Sequence, residues 1–104
     1  MMYKIKFSEL FDFDLIEMDL NLAEYPKKAM RIIQKIDNAV SKLTETPEMY
    51  QVYEDFPIFR RIVVEDYLVF YLIKEDERIV EIHRLIYGRK DFKGLFENQV
   101  KSTE

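Results

Sequence analysis

Cysteine is absent from this 104-residue chain. That excludes a disulfide framework, a thiolate metal site and a cysteine nucleophile. Tryptophan is absent too, and glycine occurs only at Gly88 and Gly94, so no glycine-rich loop can cradle a phosphate. Histidine occurs once, at His83. No run of 18 apolar residues is present, so no membrane span is expected. The N-terminal stretch MMYKIKFSEL lacks the apolar core of a signal peptide. A cytoplasmic protein with no cofactor and no metal is the expectation.

What the chain does have is material for a core. It is 48% hydrophobic and 14% aromatic, which argues against disorder. Its length suits one domain, expected over residues 1–96 with a flexible tail over 97–104. Residues 1–58 hold 11 acids and 7 bases, whereas 59–104 hold nine of each. Within 78–101, six bases stand against three acids. A general nucleic-acid binder is usually basic overall. The net charge here is −4, so any anion site must be local.

The most informative stretch runs from Tyr67 to Asp91. Tyr67–Ile73 is apolar or aromatic throughout, which predicts a central strand covered on both faces. Lys74-Glu75-Asp76-Glu77 is a polar break of hairpin length. Arg78–Tyr87 is the partner strand, ended by Gly88. Upstream, Met2–Phe7 alternates, with Tyr3, Ile5 and Phe7 on one face and Lys4 and Lys6 on the other. That pattern predicts an edge strand. Ser8 is placed to cap a helix over Glu9–Tyr25. Its core stripe is Phe11, Leu15, Met18 and Leu22, widened by Ile16 and Leu20. Pro26 suits the first turn of a second helix, Lys27–Leu43, whose lysines form a solvated face. The short joint between the helices predicts an antiparallel hairpin. Thr44–Pro57 is a loop with aromatic contacts at Met49, Tyr50, Tyr53 and Phe56. Phe59–Val64 is a strand that turns tightly into Tyr67. Phe92–Phe96 is a short helix or tail. The expected class is α+β, with an N-terminal strand, a helix hairpin and a three-stranded antiparallel meander.

These features resemble the RelE/ParE superfamily of bacterial type II toxin–antitoxin toxins. The likeness rests on Phe59-Arg60-Arg61, on Tyr67-Leu68-Val69-Phe70-Tyr71, and on Ile82-His83-Arg84-Leu85-Ile86-Tyr87-Gly88-Arg89-Lys90-Asp91. The resemblance implies a growth-inhibiting toxin neutralised by a cognate antitoxin. It also implies one of two targets. One branch poisons DNA gyrase by binding. The other enters the ribosome and cuts mRNA without a metal. A third possibility is an inactive member kept as an interaction module.

RNA cleavage needs a group to activate the 2′-hydroxyl, a proton donor, and cations for the developing phosphorane charge. Arg61, His83, Tyr87 and Arg89 are the candidates. The ribonuclease branch often has arginine where this chain has Leu68, and that departure removes a phosphate-stabilising charge. Net acidity also suits poorly an rRNA-lined site. The gyrase-binding branch is therefore preferred. Arg60, Arg84, Tyr87, Arg89, Lys90, Asp91 and Lys93 are the candidate target contacts. His83 has a simpler reading as a strand histidine packed locally, since no second catalytic group stands beside it in sequence. Strict alternation puts Glu81, His83, Leu85 and Tyr87 on one face and Val80, Ile82, Arg84 and Ile86 on the other. Arg84 then shares a mostly apolar face, where an ion pair with a helix acid is its simplest role. Arg89-Lys90-Asp91 is either a solvated turn or a recognition patch.

Overall fold

A computed structural model describes residues 2–88. The proposed Phe92–Phe96 segment, the 97–104 tail, and Arg89, Lys90, Asp91 and Lys93 lie outside them.

The elements are β1 (Lys4–Phe7), α1 (Glu9–Asn21), α2 (Pro26–Ser41), a 3-10 turn over Lys42–Thr44, β2 (Arg60–Val64), β3 (Tyr67–Lys74) and β4 (Ile79–Tyr87). The sheet runs β1-β4-β3-β2, with β1 parallel to β4 and the other pairs antiparallel. The helix pair thus carries the chain from the β1 edge to the β2 edge, and the β2–β3–β4 meander then runs back so that β4 lies beside β1. The β1 edge is the one the lysines predicted. As the unbroken apolar run required, β3 lies inside the sheet. Its alternate residues go to opposite faces. Val69 and Tyr71 join the helices' Phe11, Met18, Ile32, Ile36 and Val40 in the main core. Phe70 faces the other way, into a second cluster with Tyr53, Phe59 and Ile86. The 44–57 loop therefore does more than connect, because it roofs the second face. Tyr53 and Phe56 supply aromatic contact there, whereas Met49 is exposed. Tyr71 ties the loop down from the main core. Its hydroxyl donates to the Pro47 carbonyl at 2.7 Å, and burial pushes that hydroxyl up to about 12.

Local chemistry explains the helix starts. The Ser8 hydroxyl accepts from the Phe11 N–H at 3.0 Å and caps α1. Pro26 occupies the first turn of α2, where its missing N–H costs nothing. Two expectations need correcting. Helix α1 stops at Asn21 instead of reaching Tyr25, because turns over 22–24 precede Pro26. Ile16 and Leu20 do not widen the buried stripe; both are exposed.

The basic face of α2 is solvent-facing as expected, but two of its cations are paired with Glu65. Arg31 donates to both Glu65 carboxylate oxygens, at 2.7 and 2.8 Å, and Lys35 Nζ lies 3.1 Å from the same group. Glu65 sits in the β2–β3 turn at φ 53°, a left-handed backbone that disfavours non-glycine residues. The clamp holds that turn against α2. Hydrogen bonds from Arg31 and then Lys35 lower the Glu65 pKa from an ordinary 4.5 to about 2. The folded value is depressed, so the clamp's stability is fully present above about pH 4.5. It is lost as pH falls through about 2. The stability gap between wild type and Arg31→Ala should therefore be constant near neutrality and close across that acid window. Urea denaturation at stepped pH measures it, and a pH-independent gap would contradict the clamp.

The β4 faces need the largest correction. Register between β3 and β4 slips at Phe70/Tyr71: Phe70 pairs with Arg84, and Tyr71 with Ile82. His83 is the extra residue of a β-bulge, which breaks strict alternation. Val80 and Ile82 share the main core with Leu85 and partly buried Tyr87, while Ile86 joins the second cluster. The bulge thus moves Leu85 and Tyr87 to the helix face, away from Glu81 and His83.

Candidate functional site

β1 covers β4 only as far as the Phe7–Ile82 pair. Beyond it, residues 83–87 of β4 have an open side, and an open strand edge leaves backbone donors to be satisfied. The residues leading into α1 supply the partners. The Ser8 N–H donates to the Ile82 carbonyl at 3.0 Å, and its hydroxyl to the His83 carbonyl at 2.6 Å. One turn and a half further on, Asp14 acts in place of a neighbouring strand. Its Oδ2 accepts from the Leu85 N–H at 2.9 Å and from Arg84 Nε at 2.7 Å, and its Oδ1 accepts from Arg84 Nη2 at 3.0 Å. Arg84 is thus in the ion pair expected of it, and Asp14 is its partner. The bulge sets Arg84 where its planar fork meets both carboxylate oxygens.

A cleft of about 380 Å³ opens beside this pair. Glu17 and Asn21 of α1, Lys28 of α2, Asp66 of the β2–β3 turn, and Tyr67 and Tyr87 line it with the Asp14–Arg84 pair. Tyr67 and Tyr87 meet edge-on with ring centroids 5.5 Å apart. Burial raises the Tyr67 hydroxyl pKa above its usual value. Lys28 Nζ lies 3.9 Å from Asp66. At the cleft's end, the Gly88 N–H donates to the Asp66 carbonyl at 2.6 Å, and a Cβ on Gly88 would sit 3.0 Å from that same oxygen. A larger residue there would press its Cβ on that backbone oxygen, so glycine suits this closure of the strand end. Two aromatic hydroxyls and fixed charges of both signs make a surface suited to binding a protein segment.

The other candidates lie elsewhere. Arg60 is on β2, with its Nη1 donating to the Glu48 and Tyr50 carbonyls at 3.2 and 2.7 Å. Arg61 is exposed beside the 51–55 segment. Its pairing partner is Phe70, which in turn pairs with Arg84. The Arg61 and Arg84 Cα atoms are therefore roughly 10 Å apart. The imidazole of His83 stacks on Phe59, centroids 5.0 Å apart, with Nδ1 3.6 Å from Glu81. The packed role holds for it. Arg84 and Tyr87 are brought together; Arg60, Arg61 and His83 do not join them. Asp14, Lys28 and Asp66, which carried no motif of their own, complete the cleft with Tyr67, the first residue of the aromatic strand motif. Among the described residues no group of three or more His, Cys, Asp or Glu is arranged to hold a metal, and no helix is long and apolar enough to cross a membrane.

This α+β arrangement is that of RelE/ParE toxins. The chain is similar to a solved structure of the chromosomal ParDE system from P. aeruginosa, with TM-score 0.68 and 19% identity over 83% of this chain and 96% of that one. It is also similar to the isolated RelE toxin of E. coli, with TM-score 0.62 and 12% identity over 98% and 99% of the two chains. A third similar structure is the RelE–RelB complex of Pyrococcus horikoshii OT3, with TM-score 0.51 and 18% identity over 88% and 100%. A search of curated protein sequences gives no match. Residues 5–92 match the family described as the ParE toxin of the type II toxin–antitoxin system parDE, and the chain belongs to that family.

Proposed function

We propose that this toxin inhibits growth by binding DNA gyrase in the cytoplasm and that a cognate antitoxin neutralises it. The observation that carries the gyrase reading is the commitment of two of the sheet's arginines, although Arg61 stays exposed. Arg84 is held by Asp14, and Arg60 by two backbone carbonyls. At the position where the ribonuclease branch often has arginine, Leu68 packs against the second apolar cluster. Phosphorane stabilisation needs cations free to meet the developing charge, and Arg84 and Arg60 are spent on structure. Binding requires only a fixed surface. The end of β4, with Tyr87 and the Arg89, Lys90, Asp91 and Lys93 that follow Gly88, is the target face in this proposal. Membership of the ParE toxin family and the antitoxin in the solved RelE–RelB complex support the wider reading.

The test runs two assays on the purified chain. Gyrase supercoiling should be inhibited while mRNA in a reconstituted translation reaction stays intact. The double variant Arg89→Ala/Lys90→Ala should weaken inhibition about tenfold, equivalent to about 1.4 kcal/mol of binding. Cleaved mRNA with unimpaired supercoiling would replace this proposal with ribosome-dependent endoribonuclease activity. Neither effect, with antitoxin binding retained, would make the chain an interaction module.

A further inference from the structure

Helix α1 carries two apolar stripes, and the core takes only one. Phe11 and Met18 are buried. Phe13, Ile16 and Leu20 are 66%, 58% and 71% exposed. At 3.6 residues per turn these three fall within about 60° of one another and about 180° from the buried pair. They form a straight ridge along the outside of the helix. Scattered exposed apolar residues are ordinary. Three large ones aligned at i, i+3 and i+7 make the kind of ridge that another helix packs against.

Charge chooses the occupant. Glu9, Asp12, Asp14, Glu17 and Asp19 make α1 acidic, and it contains no basic residue. Asp12 and Asp19 flank the ridge on one side and Glu17 on the other. A second copy docking by the same ridge would set acid against acid. An anionic bilayer would be repelled likewise. We infer that the Phe13–Ile16–Leu20 ridge is the docking site for an amphipathic helix whose apolar stripe is bordered by lysine and arginine. The inference takes its partner from the toxin–antitoxin reading: the helix belongs to the antitoxin. It goes further in naming the address and the charge pattern.

Calorimetric titration of the purified chain with the protein encoded by the adjacent gene tests it. Ile16→Ser/Leu20→Ser should weaken binding 30-fold or more and leave growth inhibition intact, since neither residue lines the proposed target face. Asp12→Lys/Asp19→Lys should weaken binding about tenfold in low salt, and the loss should shrink as salt screens the charges. Circular dichroism checks that each variant is folded, and Phe13→Ser alone serves as a milder probe of the same ridge. Tight wild-type binding that ignores all three variants would overturn the address and leave the toxin–antitoxin reading standing. No wild-type binding would defeat that reading, and this inference with it. Self-association of the free chain that Ile16→Ser/Leu20→Ser abolishes would assign the ridge to a second copy and overturn the proposal.

Discussion

Asp14→Ala is expected to destabilise the fold by about 3 kcal/mol, because removing one member of a desolvated ion pair strands the other. The side chains of Asp14 and Arg84 are only 10% and 13% exposed. Truncating Asp14 also orphans the Leu85 N–H, and an unsatisfied buried donor carries its own penalty. For a domain of this size that loss corresponds to a Tm roughly 15 °C lower. The effect should follow the bonds one at a time. Asp14→Asn keeps an acceptor for either Leu85 or Arg84 but loses the charge, so it should cost about half as much. Asp14→Leu/Arg84→Met removes both charges and leaves only Leu85 unpartnered. It should recover much of the stability, since apolar replacement of a buried pair is often neutral. Urea denaturation of wild type, Asp14→Leu, Arg84→Met and the double variant closes a double-mutant cycle, with an expected coupling of about 2 kcal/mol. A loss below about 1 kcal/mol in Asp14→Ala, within the range of an exposed pair, would mean that water replaces the carboxylate and that the strand end does not depend on α1.

Phe70→Ala should cost about as much, roughly 3–5 kcal/mol, for a different reason. Phe70 is fully buried in the cluster that holds the 53–59 segment onto the sheet. Tyr53 meets its ring edge-on with centroids 5.2 Å apart. Truncation opens a cavity on that face while leaving the helix-side core untouched. Hydrogen exchange should therefore accelerate first at residues such as Tyr53, whose N–H donates to the Phe59 carbonyl at 2.8 Å. The amides of α2 should be affected least. Phe70→Leu retains most of the volume and should cost under about 1.5 kcal/mol. Uniform acceleration across both faces would show that the two clusters unfold together and that the loop is no separate unit.

Both variants probe the same end of β4 from opposite faces. Asp14 bonds to Arg84 and Leu85, and Phe70 packs with Ile86. The proposed target face begins at the next residue, Tyr87. Weakening either support should blur that face, so gyrase inhibition by these variants needs to be compared at equal folded fraction.

Local pattern was enough for much of this protein. The apolar run from Tyr67 determined an interior strand, because no face of it tolerates water. Lys4 and Lys6 placed β1 at an edge, and Ser8 and Pro26 set the starts of the two helices. Each of these depends on residues close together in the chain. The expected pairing of Arg84 with a helix acid was legible as chemistry, since a charge on an apolar face needs a partner.

The identity of that partner was not legible. Asp14 and Arg84 are 70 residues apart, and their meeting depends on where β1 ends against β4 and on the bulge at His83. The bulge is a register choice between two strands that neither strand's own pattern records. It alone reverses the faces of Leu85 and Tyr87. Tertiary packing likewise decided between the two apolar stripes of α1, which are hydrophobic enough to compete. Bonds from Ser8 to Ile82 and His83 fix the rotation of the helix's first turn. That rotation turns Phe11 and Met18 inward and leaves Phe13, Ile16 and Leu20 outside for a partner.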